Sequence, residues 1–199
     1  MLTKDKALEW IRLFSEEIIT NKEYLSELDT PIGDGDHGYN MARGLQATMD
    51  ALQATPPATL ADVFKTVSMQ LISKVGGASG PLYGSAFMGM IKAIGTSESL
   101  DHAGVTALVQ GGLDMITMRG KATTGEKTMV DVWTPCVSAL QQGVITEEQI
   151  DSWVDATTPM KATKGRASYL GDRSIGHTDP GSYSSGLFFK TMLRAGVLS

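Results

Sequence analysis

One cysteine, Cys136, stands in 199 residues, so no internal disulfide is available and a reducing, cytosolic setting is expected. Its neighbours Pro135 and Val137 offer no activating base, and the residue reads as a small buried apolar side chain. No apolar run approaches the ~20 residues that a membrane-spanning helix needs. The opening Met1-Leu-Thr-Lys-Asp-Lys leads straight into an amphipathic pattern, with no signal peptide visible. Positive charge is in deficit: the net charge is −5, which argues against a general nucleic-acid binder. Stretches of period-two alternation are missing too, which leaves little room for a sheet. With 42% hydrophobic and 20% charged residues, the composition is that of an ordinary globular protein with one sizeable core.

What the chain does have is helical periodicity. Helix one starts after Thr3, with Leu8, Ile11, Phe14 and Ile18 on one face. A short turn follows over Glu23–Glu27, then a helix over Tyr39–Gln53 and another, capped by Thr59, over Leu60–Lys74. The Pro81–Ile94 helix is rich in small residues and methionine, which permit close backbone approach. Ala103–Met118 is helical by period, and a polar loop is expected over Arg119–Glu126. Thr128–Gln142 is helical with a bend at Pro135, and Thr146-Glu-Glu-Gln149 is a capping box. The helix after it is expected to resume over Lys161–Tyr169. Asp179-Pro180 has the form of an N-cap with a first-turn proline, and Gly196 stops the last helix near Arg194. The expected fold is all-α, a bundle of about eight helices in one domain over residues 1–199.

The strongest chemical signal is Asp29-Thr-Pro-Ile-Gly-Asp-Gly-Asp-His37. Asp29, Asp34 and Asp36 repel one another unless a cation neutralises them. The interleaved glycines let alternate carboxylates converge, and hard oxygen donors suit magnesium or calcium rather than zinc. Gly38-Tyr39-Asn40 then opens a helix whose free N–H groups face an anion. A solvated acidic turn is the plain alternative. A calcium EF-hand is excluded by the short spacing and the missing glutamate at the twelfth position.

Three weaker signals follow. Gly76-Gly-Ala-Ser-Gly-Pro-Leu-Tyr-Gly84 has the composition of a phosphate cradle but no Gly-Lys-Ser/Thr, so it is not a Walker A loop. Arg119-Gly-Lys-Ala-Thr-Thr-Gly-Glu-Lys-Thr-Met129 carries three cations in a loop that would close over phosphate. Lys164-Gly-Arg166 and Asp172-Arg-Ser-Ile-Gly-His-Thr-Asp-Pro-Gly181 add cations, with Arg166 suited to a diphosphate. His37, His102 and His177 have no metal-ligand spacing; His102 is expected to sit exposed and His37 beside the aspartates.

Taken in order, Pro31–Asn40, Gly77–Gly84, Arg119-Gly-Lys-Ala and Gly176–Gly181 resemble the dihydroxyacetone kinase family in its nucleotide-binding L subunit (DhaL). The resemblance implies a closed antiparallel barrel of eight helices with Mg2+ (two ions) and ADP/ATP at one end. It implies Asp29, Asp34 and Asp36 as metal ligands, and His37, Gly38, Tyr39, Asn40, Ala78, Ser79, Gly120, Met129, Arg166, Asp179, Pro180 and Gly181 as nucleotide contacts. Lys121 or Arg173 would add positive charge near the transferring group. At this length the chain resembles the split, phosphotransferase-system branch. There the nucleotide stays bound as a coenzyme, a phosphohistidine protein (DhaM) recharges it, and the phosphoryl group passes to dihydroxyacetone on a separate subunit (DhaK). An ATP-exchanging subunit, and a nucleotide-state sensor that binds a transcription regulator, are the competing implications.

Overall fold

Thr3 begins the first helix because its side chain accepts from Lys6 N, which supplies one of the helix's unpaired first-turn donors. In the computed structural model, which describes residues 1–199, this is α1 (Lys4–Thr20). It is followed by α2 (Lys22–Asp29), α3 (His37–Ala54), α4 (Leu60–Lys74) and α5 (Ser79–Ile94). Then come α6 (His102–Gly120), α7 (Val130–Gln142), α8 (Glu147–Asp155), a 3-10 helix (Arg166–Ser174) and α9 (Pro180–Arg194). The capping boxes at Thr59 and Thr146 both form, and Asp179 caps α9 by accepting from Ser182 N. No helix is long and apolar enough to cross a membrane.

Three expectations need correction. A two-residue antiparallel pair, β1 (Leu2–Thr3) with β2 (Ser99–Leu100), exists where no strand is expected. The loop expected from Arg119 starts later, because Arg119 and Gly120 complete α6 and Lys121 caps it in the left-handed region (φ 51), donating its N–H to Thr117 O. The helix expected to resume over Lys161–Tyr169 does not. Lys127 holds the carbonyls just before it, Ala162 N donates to Ser174 Oγ (2.9 Å), and Gly165 and Gly171 turn at positive φ. Only 3-10 turns survive there.

Around the molecule, α1 packs on α3, α3 on α4, α4 on α5, α5 on α6, α6 on α7, α7 on α8, α8 on α9, and α9 on α1. The small residues of α5 have a purpose at one crossing: a Cβ on Gly89 would lie 2.0 Å from Gly111 O, so α5 and α6 touch backbone to backbone. Inside, Phe188 of α9 is the hub. Its ring lies 4.6 Å from Trp10, 5.2 Å from Phe14, 5.4 Å from Trp133 and 5.8 Å from Phe87, joining α1, α5, α7 and α9. Burying each such ring contributes roughly 1.5–3 kcal/mol. Cys136 is fully buried here, as its surroundings in the sequence imply.

Candidate metal and anion site

The acidic loop is organised by its first aspartate. Asp29 ends α2 and is buried, and its Oδ2 accepts from the backbone N–H groups of Asp36 (3.1 Å) and His37 (3.3 Å). Ser26, one turn earlier, accepts from Gly38 N (3.1 Å) and Tyr39 N (3.4 Å), so it caps the start of α3. Asp36 occupies the N-cap position without making a cap hydrogen bond. Its carboxylate is therefore free for a ligand. Asp34 is exposed and pairs with Arg166. Carboxylate oxygens of Asp29, Asp34 and Asp36 lie within 4.8 Å of one another. That cluster of hard oxygens fits a magnesium or calcium ion.

The aspartates form one wall of a cleft. The N-terminus of α3, the Gly76–Ser79 turn opening α5, Lys127–Met129, Lys164–Ala167 and Asp179–Gly181 complete it. Two helix N-termini thus open on the carboxylate cluster, but the first-turn N–H groups of α3, expected to be free, are taken by Asp29, Ser26 and the Asp36 carbonyl, and the unpaired donors are those that open α5. Arg43 donates to Lys74 O (3.0 Å) and to Asn40 Oδ1 (2.7 Å). A guanidinium only donates, so the Asn40 oxygen must face it and the Nδ2 hydrogens are left for the cleft. Burial pushes the His37 ring down to about 4 despite the neighbouring Asp29 and Asp36, so it is neutral at physiological pH.

Of the residues that the sequence singles out, Asp29, Asp34, Asp36, His37, Asn40, Ala78, Ser79, Met129, Arg166, Asp179, Pro180 and Gly181 all line this cleft. Five do not. Gly38 is buried against α2, where an added Cβ would lie 1.9 Å from Lys22 O. Tyr39 points outward and is 50% exposed. Gly120 stands behind the lining residue Leu82, whose Cδ2 is 3.3 Å from the Cβ it lacks. Lys121 and Arg173 are exposed outside the cleft, and the cations that line it are Lys127, Lys164 and Arg166.

Lys127 is a correction to the cation-loop reading. Its side chain is buried rather than poised over the cleft. The ammonium donates to the carbonyls of Thr157 (2.7 Å), Met160 (3.1 Å) and Thr158 (3.3 Å), using all three hydrogens. Burial lowers its pKa. Lys127→Met is expected to leave those carbonyls unpaired and to destabilise the fold by about 2–4 kcal/mol, measurable by urea unfolding.

Asp179 gives a pH signature. Burial outweighs its hydrogen bonds from Ser182 and raises its pKa from 3.8 to about 6. Between those values the folded state holds the proton more tightly than the unfolded chain does. Stability from this group therefore falls as pH rises from about 4 to 6. Asn is an equally good N-cap, so Asp179→Asn is expected to flatten the melting-temperature profile of the ligand-free protein across that window.

Fold and site together define a helical protein with a carboxylate cluster set between helix N-termini, built for a cation and an anion side by side. The chain belongs to the DAK2 domain family, whose model matches residues 31–194. It is 55% identical, over 98% of both chains, to the PEP-dependent dihydroxyacetone kinase 1 ADP-binding subunit DhaL of Listeria innocua. To the PTS-dependent dihydroxyacetone kinase ADP-binding subunit DhaL of Lactococcus lactis it is 53% identical, over 97% of this chain and 98% of that one. Its fold is that of part of the C. freundii dihydroxyacetone kinase, solved in complex with AMP-PNP and Mg2+. The TM-score is 0.72 at 23% identity, over 93% of this chain and 33% of the kinase. The chain thus spans about a third of that enzyme.

Proposed function

We propose that this chain is the ADP-binding subunit of a phosphoenolpyruvate-dependent dihydroxyacetone kinase, a phosphotransferase with an alcohol group as acceptor. One observation carries the reading: three converging carboxylates sit between the N-termini of α3 and α5, in a chain matched end to end by subunits of that name. Asp29, Asp34 and Asp36 would hold magnesium, two ions in our reading, and the metal would neutralise phosphate charge. The unpaired N–H groups at the start of α5 would face the phosphates, with Asn40, Ala78 and Arg166 beside them. Lys164 replaces Lys121 and Arg173 as the additional cation at the cleft.

In this reading ADP is a resident coenzyme. A phosphohistidine protein converts it to ATP in place, and the γ-phosphoryl group passes to dihydroxyacetone held on a separate subunit. The acceptor and the donor protein would both approach the cleft mouth, in the cytoplasm. We read residues 1–199 as one domain and the circuit of packed helices, α1 and α3 through α9, as a closed eight-helix barrel. Mass analysis of nucleotide released from the purified protein is the test. Stoichiometric ADP that survives dialysis is expected. Multiple turnovers on free ATP, with the dihydroxyacetone-binding subunit and no phosphohistidine donor, would instead make this an exchanging kinase subunit.

A further inference from the structure

Beneath the cleft, a chain of hydrogen bonds runs from the core to Ser79. Trp133 Nε1 donates to Ser185 Oγ (3.0 Å), and the Tyr83 hydroxyl lies 3.0 Å from Ser185 Oγ and 2.8 Å from Ser184 Oγ. Ser184 Oγ is 3.1 Å from Gly181 O and 3.0 Å from His37 Nε2. Ser79 Oγ is 2.9 Å from His37 Nδ1. Every side chain in it but that of Ser79 is buried, and none of the buried side-chain polar atoms lacks a partner.

The direction of these bonds is determined by the ends. An indole N–H only donates and a carbonyl only accepts. With a neutral imidazole, each of the six side chains contributes one hydrogen, and the atoms make six contacts. Six hydrogens match six contacts, and with one hydrogen assigned to each contact, that between Ser184 and the Gly181 carbonyl included, a single arrangement serves all of them. Ser185 donates to Tyr83, and Tyr83 donates to Ser184. Ser184 spends its hydrogen on Gly181 O, so it must accept from His37 Nε2–H. Nδ1 is then bare and accepts from the Ser79 hydroxyl.

We infer that this buried relay holds His37 as the Nε2–H tautomer, takes up the Ser79 hydroxyl hydrogen, and presents Ser79 Oγ to the cleft as an acceptor only, a site for a divalent cation or its bound water. A phosphate oxygen is itself an acceptor and gains nothing from such an atom. Ser79 is therefore divided: its backbone N–H, unpaired at the start of α5, serves the anion, and its side-chain oxygen serves the cation. The ligand assignment rests on the metal–nucleotide reading of the cleft, whereas the bond directions do not. Ser184 is the positioning residue. Without it, an Nε2–H would be buried unpaired, so the proton moves to Nδ1 and Ser79 turns its hydrogen outward. Tyr83 is different, because without its hydroxyl the remaining bonds from Gly181 to Ser79 keep their only arrangement.

The test is nitrogen-15 NMR of labelled histidine in the ligand-free full chain at neutral pH. An Nε2–H ring is expected for His37 in the wild type and in Tyr83→Phe, and an Nδ1–H ring in Ser184→Ala. Two truncations of one buried network would then differ in a signal that general loosening does not move. A doubly protonated or Nδ1–H ring in the wild type, or an unchanged tautomer in Ser184→Ala, overturns the relay. Binding of Mn2+ in the presence of ADP, read by electron paramagnetic resonance, tests the cation half. Ser79→Ala and Ser184→Ala are expected to bind it on the order of tenfold more weakly, with Tyr83→Phe close to wild type. Unchanged Mn2+ affinity in Ser79→Ala overturns that half. A wild type that binds neither Mn2+ nor ADP counts against the reading of the cleft itself, and the tautomer result still decides the relay.

Discussion

Asp34→Ala is expected to yield a folded protein stripped of nucleotide. Asp34 is exposed, and its hydrogen-bonding partner is Arg166. An exposed pair of this kind contributes about 0–1 kcal/mol, so the melting temperature of the ligand-free protein should barely change. The site, in contrast, loses one of three carboxylates and leaves Arg166 without a counter-charge. Removing even a supporting partner of a metal ligand costs about 10–100-fold in affinity, so losing a ligand should exceed roughly 100-fold. Asp29→Ala serves as the contrast. Asp29 accepts from two backbone amides that open α3, so its removal should cost an additional ~1–3 kcal/mol of stability. Nucleotide content of the purified variants, set beside thermal melts, separates the two roles. Stoichiometric ADP on purified Asp34→Ala would remove Asp34 from the metal site.

Much of the helical layout is legible in the sequence because its signals are local. Thr3, Thr59, Thr146 and Asp179 each cap the helix that they announce, since a cap depends on residues two or three positions away. The acidic loop is legible for the same reason, because its three aspartates lie within eight residues. What is not legible depends on residues far apart in sequence. Lys127 reads as one more loop cation until the carbonyls of residues 157, 158 and 160 are seen around it. That same grip is why a helix does not resume at Lys161. Lys121 and Arg173 are placed near the reaction by charge and motif alone, and the direction of an exposed side chain after a left-handed cap or a 3-10 turn is not a local property. The relay beneath His37 joins α3, α5, α7 and α9, and its sequence trace is slight: the buried serines Ser184 and Ser185 on a helix face that also carries Phe188.

Gly38→Ala is the substitution expected to damage fold and site at once. Its resemblance-based role is ligand contact, but the geometry gives it another. The missing Cβ would lie 1.9 Å from Lys22 O and 2.8 Å from Leu25 Cβ, both on α2. Backbone cannot swing aside as a flexible side chain can, so α3 must lift away from α2. The Gly38 N–H bond to Ser26 Oγ stretches with it. Overpacking of this kind costs about 1–3 kcal/mol, which in a chain of this size lowers the melting temperature by roughly 2–12 °C. The same displacement moves His37 and Asn40 out of the cleft and pulls the Asp36 and His37 amides from Asp29, so bound nucleotide should be lost as well. Thermal melts and nucleotide content decide between the two roles. If Gly38→Ala melts like the wild type and only the nucleotide is gone, the glycine is there for the ligand. If the melt falls with it, the close seating of α3 on α2 is what holds the carboxylates and the relay in register.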